Sequence, residues 1–203
     1  LDCLDFDFEE TVWFNNTGNT QRVFYVVDGW TSTSNGAFTL AWAVTTPTNG
    51  SYCSDPEPFC APVGTSIQFT AQATGLPAES GNNYDCLNSQ PDPTWFYFKI
   101  GSPGNLVIDI VGTSDVDYAI WGPFADLAAA NAACGSLPLP IECSYSPSAV
   151  EQANIAGALT NEIYLMVLTN YSGIVQNITV SLNASSTGNT DCSIATNSPC
   201  KCG

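Results

Sequence analysis

A tandem, jelly-roll-like antiparallel β-sandwich with one short helix is the fold class this sequence predicts. Three observations predict it. Apolar residues alternate in short runs, and clusters of Gly, Pro and Asn separate the runs at short intervals. A period of about 140 residues also recurs along the 203-residue chain.

The elements follow in chain order. VFYVVDGW at 23–30 and AFTLAWAV at 37–44 read as a hairpin joined by a Ser/Gly loop. SIQFTAQA at 66–73 alternates as a half-buried strand does. TWFYFKI at 94–100 puts Trp95, Tyr97 and Lys99 on one face and Phe96, Phe98 and Ile100 on the other. NLVIDIVG at 105–112 turns Leu106, Ile108 and Ile110 inward. In DVDYAIWGPF at 115–124, Asp115, Asp117, Ala119 and Trp121 share a strand face opposite Val116, Tyr118 and Ile120. Gly122-Pro123 is expected to stop that strand and hand over to a helix at 124–133, with Pro123 near its first turn and a stop near Gly135. IYLMVLT at 163–169 and VQNITVSL at 175–182 form a closing hairpin. Trp95 and Trp121 are expected to pack the sandwich core.

The repeat rests on the two hairpins and on cysteine spacing. Cys3 and Cys143 lie 140 apart, Cys53 and Cys192 139, and Cys60 and Cys200 140. Residues 1–49 then correspond to the C-terminal part of a preceding sandwich, 50–191 to one complete sandwich, and 192–203 to a linker or the start of the next. The junctions TTPTNGSYCSDPEP and ASSTGNTDCSIATNSP are rich in Pro, Ser, Thr and Asn, as linkers are. The chain begins Leu1-Asp2-Cys3, which reads as a mature or excised piece of something longer.

Composition excludes several functions. Nineteen acidic and three basic residues give a formal net charge of −16. That leaves too little positive charge to bind nucleic acid or an anionic membrane surface. No apolar run reaches the roughly 18 residues of a membrane span, so no membrane insertion is expected. Histidine is absent, which removes the usual general base and the commonest zinc ligand.

The nine cysteines are scattered rather than set in CxxC pairs, which predicts a disulfide framework in an oxidising compartment. Cys134 and Cys143 flank one Pro-rich loop and are the first expected pair; Cys60 and Cys86 flank the strand at 66–73 and are the second. Cys3 is expected to find its partner upstream. The pairing of Cys53, Cys192, Cys200 and Cys202, at the unit junctions, stays open.

Asp115 and Asp117 stand about 7 Å apart along a strand. They either cap the turn at 112–114 by accepting backbone N–H bonds, or ligate calcium, or act as an acid pair. The run DFDFEE at 5–10 reads as a solvated strand face, with calcium as the alternative. Trp30, on a loop tip, and its repeat counterpart Tyr171 are candidate glycan contacts. Asn-x-Ser/Thr triplets occur at Asn15, Asn49, Asn170, Asn177 and Asn183.

EPFC at 57–60, NNYDCLNSQPDPTWFYFKI at 82–100, SDVDYAIWGPF at 114–124, ECSYSPSAVE at 142–151 and EIYLMVLTNYS at 162–172 carry a resemblance. They resemble a domain of very large gliding-type or adhesin-type proteins exported by the type IX secretion system of Bacteroidota. The hairpin is distantly similar to prepeptidase C-terminal domains, β-sandwich accessories of secreted hydrolases. The resemblance covers roughly residues 53–192 and reaches 1–48 only through the hairpin. It implies surface display, tandem repetition and no catalysis, and it transfers no site residues. In a bacterial host it also implies that the Asn-x-Ser/Thr triplets are unused.

These readings converge on a non-enzymatic structural segment of an extracellular surface protein or filament. Its partners would be neighbouring repeats or copies of itself, joined by strand complementation, because the strands of residues 1–48 cannot close a sandwich alone. No cofactor is required, calcium being the one candidate. The alternatives are a calcium-dependent carbohydrate-binding or adhesion module and an accessory domain of a secreted hydrolase.

Overall fold

Contacts divide the chain into two units, Leu1–Val44 and Thr45–Gly203. The computed structural model describes residues 50–196, all in the second unit. The hairpin at 23–44, the acidic run at 5–10, Trp30, Cys3, Cys200 and Cys202 lie outside the described residues.

The described unit is a two-sheet sandwich. The first sheet runs β1(Glu57–Pro58)–β3(Thr94–Ser102)–β8(Ile163–Thr169)–β5(Asp117–Phe124)–β6(Glu142–Ser144), with β10(Asn189–Thr190) also paired to β3. The second runs β2(Ser66–Ala71)–β9(Gln176–Leu182)–β4(Gly104–Val111)–β7(Val150–Ala158). All pairs are antiparallel except β1 with β3, which is parallel. α1(Leu127–Ala133) sits between β5 and β6, and a one-turn α2(Ser193–Thr196) follows β10.

The inner faces meet as alternation demands. Phe96, Phe98 and Ile100 of β3 and Tyr118 and Ile120 of β5 pack against Leu106, Ile108 and Ile110 of β4 and Ile178 and Val180 of β9. β7 was not among the strands read from sequence. It buries Glu151, Ala153 and Ile155 on alternate positions, but Ala and Gly dilute its apolar signal.

The first sheet is buried on both faces, which is why every residue of β8 is buried. Its outer face carries a second apolar layer holding Trp95, Trp121, Leu165, Val167, Tyr84 and Leu137. Trp95 and Trp121 therefore pack outside the sandwich core, not in it. Their rings stack at 5.4 Å, and Trp121 Nε1 donates to the Pro138 carbonyl at 2.9 Å. Strand parity dictates this, since both lie one position from the core-facing residues.

β5 does not stop at Gly122. It continues to Phe124 through a cis Gly122–Pro123 peptide, with a register shift between Trp121 and Phe124. Gly122 has φ +140°, and a side chain there would meet Tyr164 Cδ1 at 2.6 Å and the Ile163 carbonyl at 2.9 Å. The helix consequently starts later than read, at Leu127. Asp126 caps it by accepting from the Ala129 N–H at 2.7 Å.

The disulfides are Cys53–Cys134, Cys60–Cys192 and Cys86–Cys143. This corrects the expected pairs Cys134–Cys143 and Cys60–Cys86. The reason is sheet order. Cys60 follows β1 at one edge of the first sheet, whereas Cys143 on β6 is at the other, so Cys86 beside β6 is a sheet's width from Cys60. β10 shares the β1 edge of β3, which brings Cys192 to Cys60 with Cα atoms 5.1 Å apart. Cys134, at the end of α1, turns away from β6 toward Cys53.

Candidate functional site

At one end of the first sheet β5 and β8 begin and end together. Asp117 is the direct cross-strand neighbour of Thr169. Asp117, Ala119 and Trp121 share the outer face with Val167 and Leu165, so Asp117 and Thr169 project from the same side of the sheet. Asp117 is 2% exposed and Thr169 is 0% exposed. Asp117 Oδ1 accepts from the Ser146 N–H at 3.0 Å. The Thr169 hydroxyl has no hydrogen-bond partner, and neither has buried Asp115 Oδ1.

The electrostatics are those of concentrated negative charge. Burial, then the charge of Asp115, push the Asp117 carboxyl up to about 7; Glu151 adds to the rise and the Ser146 N–H opposes it. Burial also raises Asp115. Glu151 reaches the same end from β7, and its Oε1 is buried without a partner. Lys99 is the one Lys or Arg among the described residues, and it pairs with Asp191 at 3.0 Å.

Two tyrosines border these carboxylates. Tyr145 and Tyr171 meet edge to face at 5.4 Å, and Tyr171 is 48% exposed. The Tyr171 hydroxyl is raised mainly by its contact with Tyr145, and to a smaller extent by the charges of Asp115 and Asp117. Tyr171, read as a glycan contact, thus stands exposed beside the carboxylates. Its expected counterpart Trp30 lies outside the described residues.

The turn before Asp115 is not capped by the aspartates. Gln176 Oε1 accepts from the N–H groups of Thr113 and Ser114, each at 2.9 Å. Gln176 Nε2 donates to Asn170 Oδ1 at 2.7 Å, and Asn170 Nδ2 donates to the carbonyls of Gln72 and Ile174. This buried amide pair holds three loops together and leaves Asp115 and Asp117 uncommitted to the turn. It also buries Asn170 completely, which removes that Asn-x-Ser triplet as an attachment point.

The donors at this end are hard oxygens: two carboxylates and a hydroxyl. Among the described residues no three His, Cys, Asp or Glu side chains stand together as a metal-ligand set. The structure brings Asp115, Asp117 and Tyr171, singled out from the sequence, to one end, together with Thr169, Glu151 and Gln176, which the sequence reading does not single out. Thr169 had a signal, since it follows six apolar residues on a strand. The other two come from strands distant in sequence and had none.

The fold and this site define the class: a disulfide-bridged β-sandwich, largely antiparallel. Two solved structures show a distant similarity to the chain. One is the pre-peptidase C-terminal domain of a collagenase from Bacillus anthracis, 9% identical, with a TM-score of 0.40 over 63% of this chain and 93% of that one. The other is PliG from Aeromonas hydrophila, a periplasmic inhibitor of g-type lysozyme, 12% identical, with a TM-score of 0.33 over 63% of this chain and 95% of that one. No protein-family model matches the chain. No curated protein sequence matches it.

Proposed function

We propose that this chain is a non-enzymatic structural segment of an extracellular surface protein or filament, built from tandem β-sandwiches. Cys60–Cys192 carries the reading. The described unit is entered and left along one edge of β3, where β1 pairs with Phe96 and Tyr97 and β10 with Ile100 and Ser102. The bridge joins these two points across a sequence separation of 132. Tension applied along the chain passes through the bridge and leaves the sandwich between unloaded, which suits a load-bearing repeat.

Three disulfides are what an extracellular or cell-envelope protein carries. Among the described residues no helix is long and apolar enough to cross a membrane. Among the described residues β2 and β7, six and nine residues long, are the edges of their sheet, which suits them to accept an added strand. Residues 1–48 of a neighbouring repeat or copy would supply it, and a head-to-tail contact of this kind propagates into a fibre. Light scattering of the 203-residue chain at micromolar concentration tests this. Growing oligomers are expected; a stable monomer whose residues 1–48 resist hydrogen exchange would sink the complementation.

A further inference from the structure

We propose that Asp115, Asp117 and Thr169 form a calcium site at the β5–β8 end of the sandwich. The two carboxylates alone would not carry this. The independent observation is Thr169, wholly buried, with a hydroxyl that has no hydrogen-bond partner. A buried hydroxyl without a partner costs folding free energy, so each such group asks for an explanation. Thr169 faces Asp117 directly across the strand pair, on the same side of the sheet. No hydrogen bond joins the two side chains, so the Thr169 hydroxyl oxygen is uncommitted to Asp117.

Asp115 Oδ1, two residues before Asp117, is likewise buried without a partner. A cation between these side chains gives both orphaned oxygens a partner at once. It also supplies positive charge where the described residues have none to offer, because Lys99, the one Lys or Arg among them, is committed to Asp191.

Donor chemistry selects the ion. All candidate ligands are oxygens, which excludes a preference for zinc or copper. The set is irregular, mixing carboxylate and hydroxyl. Calcium accepts such sets, whereas magnesium demands near-ideal octahedral geometry. The site is separate from the bridge and the strand edges on which the structural role rests, so either proposal can fail alone.

The test uses the full chain with its disulfides intact. Terbium stands in for calcium, and Tyr145 and Tyr171 beside the carboxylates are its sensitisers. Sensitised luminescence is expected, displaced by calcium at about 1 mM or below, the range of extracellular modules. Calcium should raise the melting temperature, and magnesium at equal concentration should not. Asp117→Asn and Thr169→Val should each weaken terbium binding about tenfold or more. Asp115→Asn serves in place of Asp117→Asn if that variant does not fold. No luminescence in the parent chain, equal responses to magnesium and calcium, or unchanged affinity in the folded variants would each overturn the site and leave only a diffuse ion cloud around an acidic protein.

Discussion

Removing Cys60–Cys192 by the double substitution Cys60→Ser and Cys192→Ser should be the most costly loss of a single bridge. The native contacts around it persist without it: Thr190 Oγ1 donates to the Ala61 carbonyl at 3.1 Å, and Lys99 pairs with Asp191 at 3.0 Å. The main effect therefore falls on the unfolded chain, which regains the freedom of a loop closed across a separation of 132 residues. Loop-closure entropy grows with the logarithm of loop length, giving about 5 kcal/mol here. The same relation gives about 4 kcal/mol for Cys86–Cys143, whose separation is 57. Urea unfolding of the two double-serine variants against the parent measures both. The slope of stability against urea should also rise, because the opened chain exposes more surface on unfolding. A loss below about 1 kcal/mol for the longer loop would refute the loop-closure reasoning. Stretching single molecules tests the load path. With the bridge intact the residues between Cys60 and Cys192 should add no length, and reduction should release them in one step.

Asp117→Asn, measured in chelator, should stabilise the protein at pH 8. Its folded carboxyl stands at about 7 against an ordinary 3.8, so the folded state holds this proton more tightly than the unfolded one. That contribution is full below the ordinary value and is lost as pH rises through about 7; at about 1.4 kcal/mol per pH unit the span reaches about 4 kcal/mol. Urea unfolding at pH 5 and pH 8 should show the parent losing stability while the variant changes less, and equal slopes for the two would refute it. Gln176→Leu strips the acceptor from the Thr113 and Ser114 N–H groups, and should cost about 2–4 kcal/mol by thermal unfolding. Trp121→Ala removes the stacked partner of Trp95 and the bond to Pro138; a loss of about 3–5 kcal/mol in urea is expected, with a shift in the remaining tryptophan emission.

The sequence by itself determined what is local. Alternation is a property of neighbouring residues, so β3, β4, β5, β8 and β9 were legible to within two or three residues, and so was the inward set Leu106, Ile108 and Ile110. The cysteine distribution and the lack of histidine set the chemistry before any fold was known. Tertiary structure decided everything that joins strands distant in the chain. Which cysteines pair follows from β1 and β6 being opposite edges of one sheet, and no loop spacing encodes that order. Trp95 and Trp121, expected in the sandwich core, lie on the opposite face of the sheet, and only a second covering layer makes that side an interior. Asp115 and Asp117 were visible as a pair. Their freedom from the turn, and the buried Thr169 facing Asp117, arose because Gln176 reaches the turn from β9 and β8 lies against β5. Strand parity is written in the residues; strand adjacency is set by how two sheets close over one core.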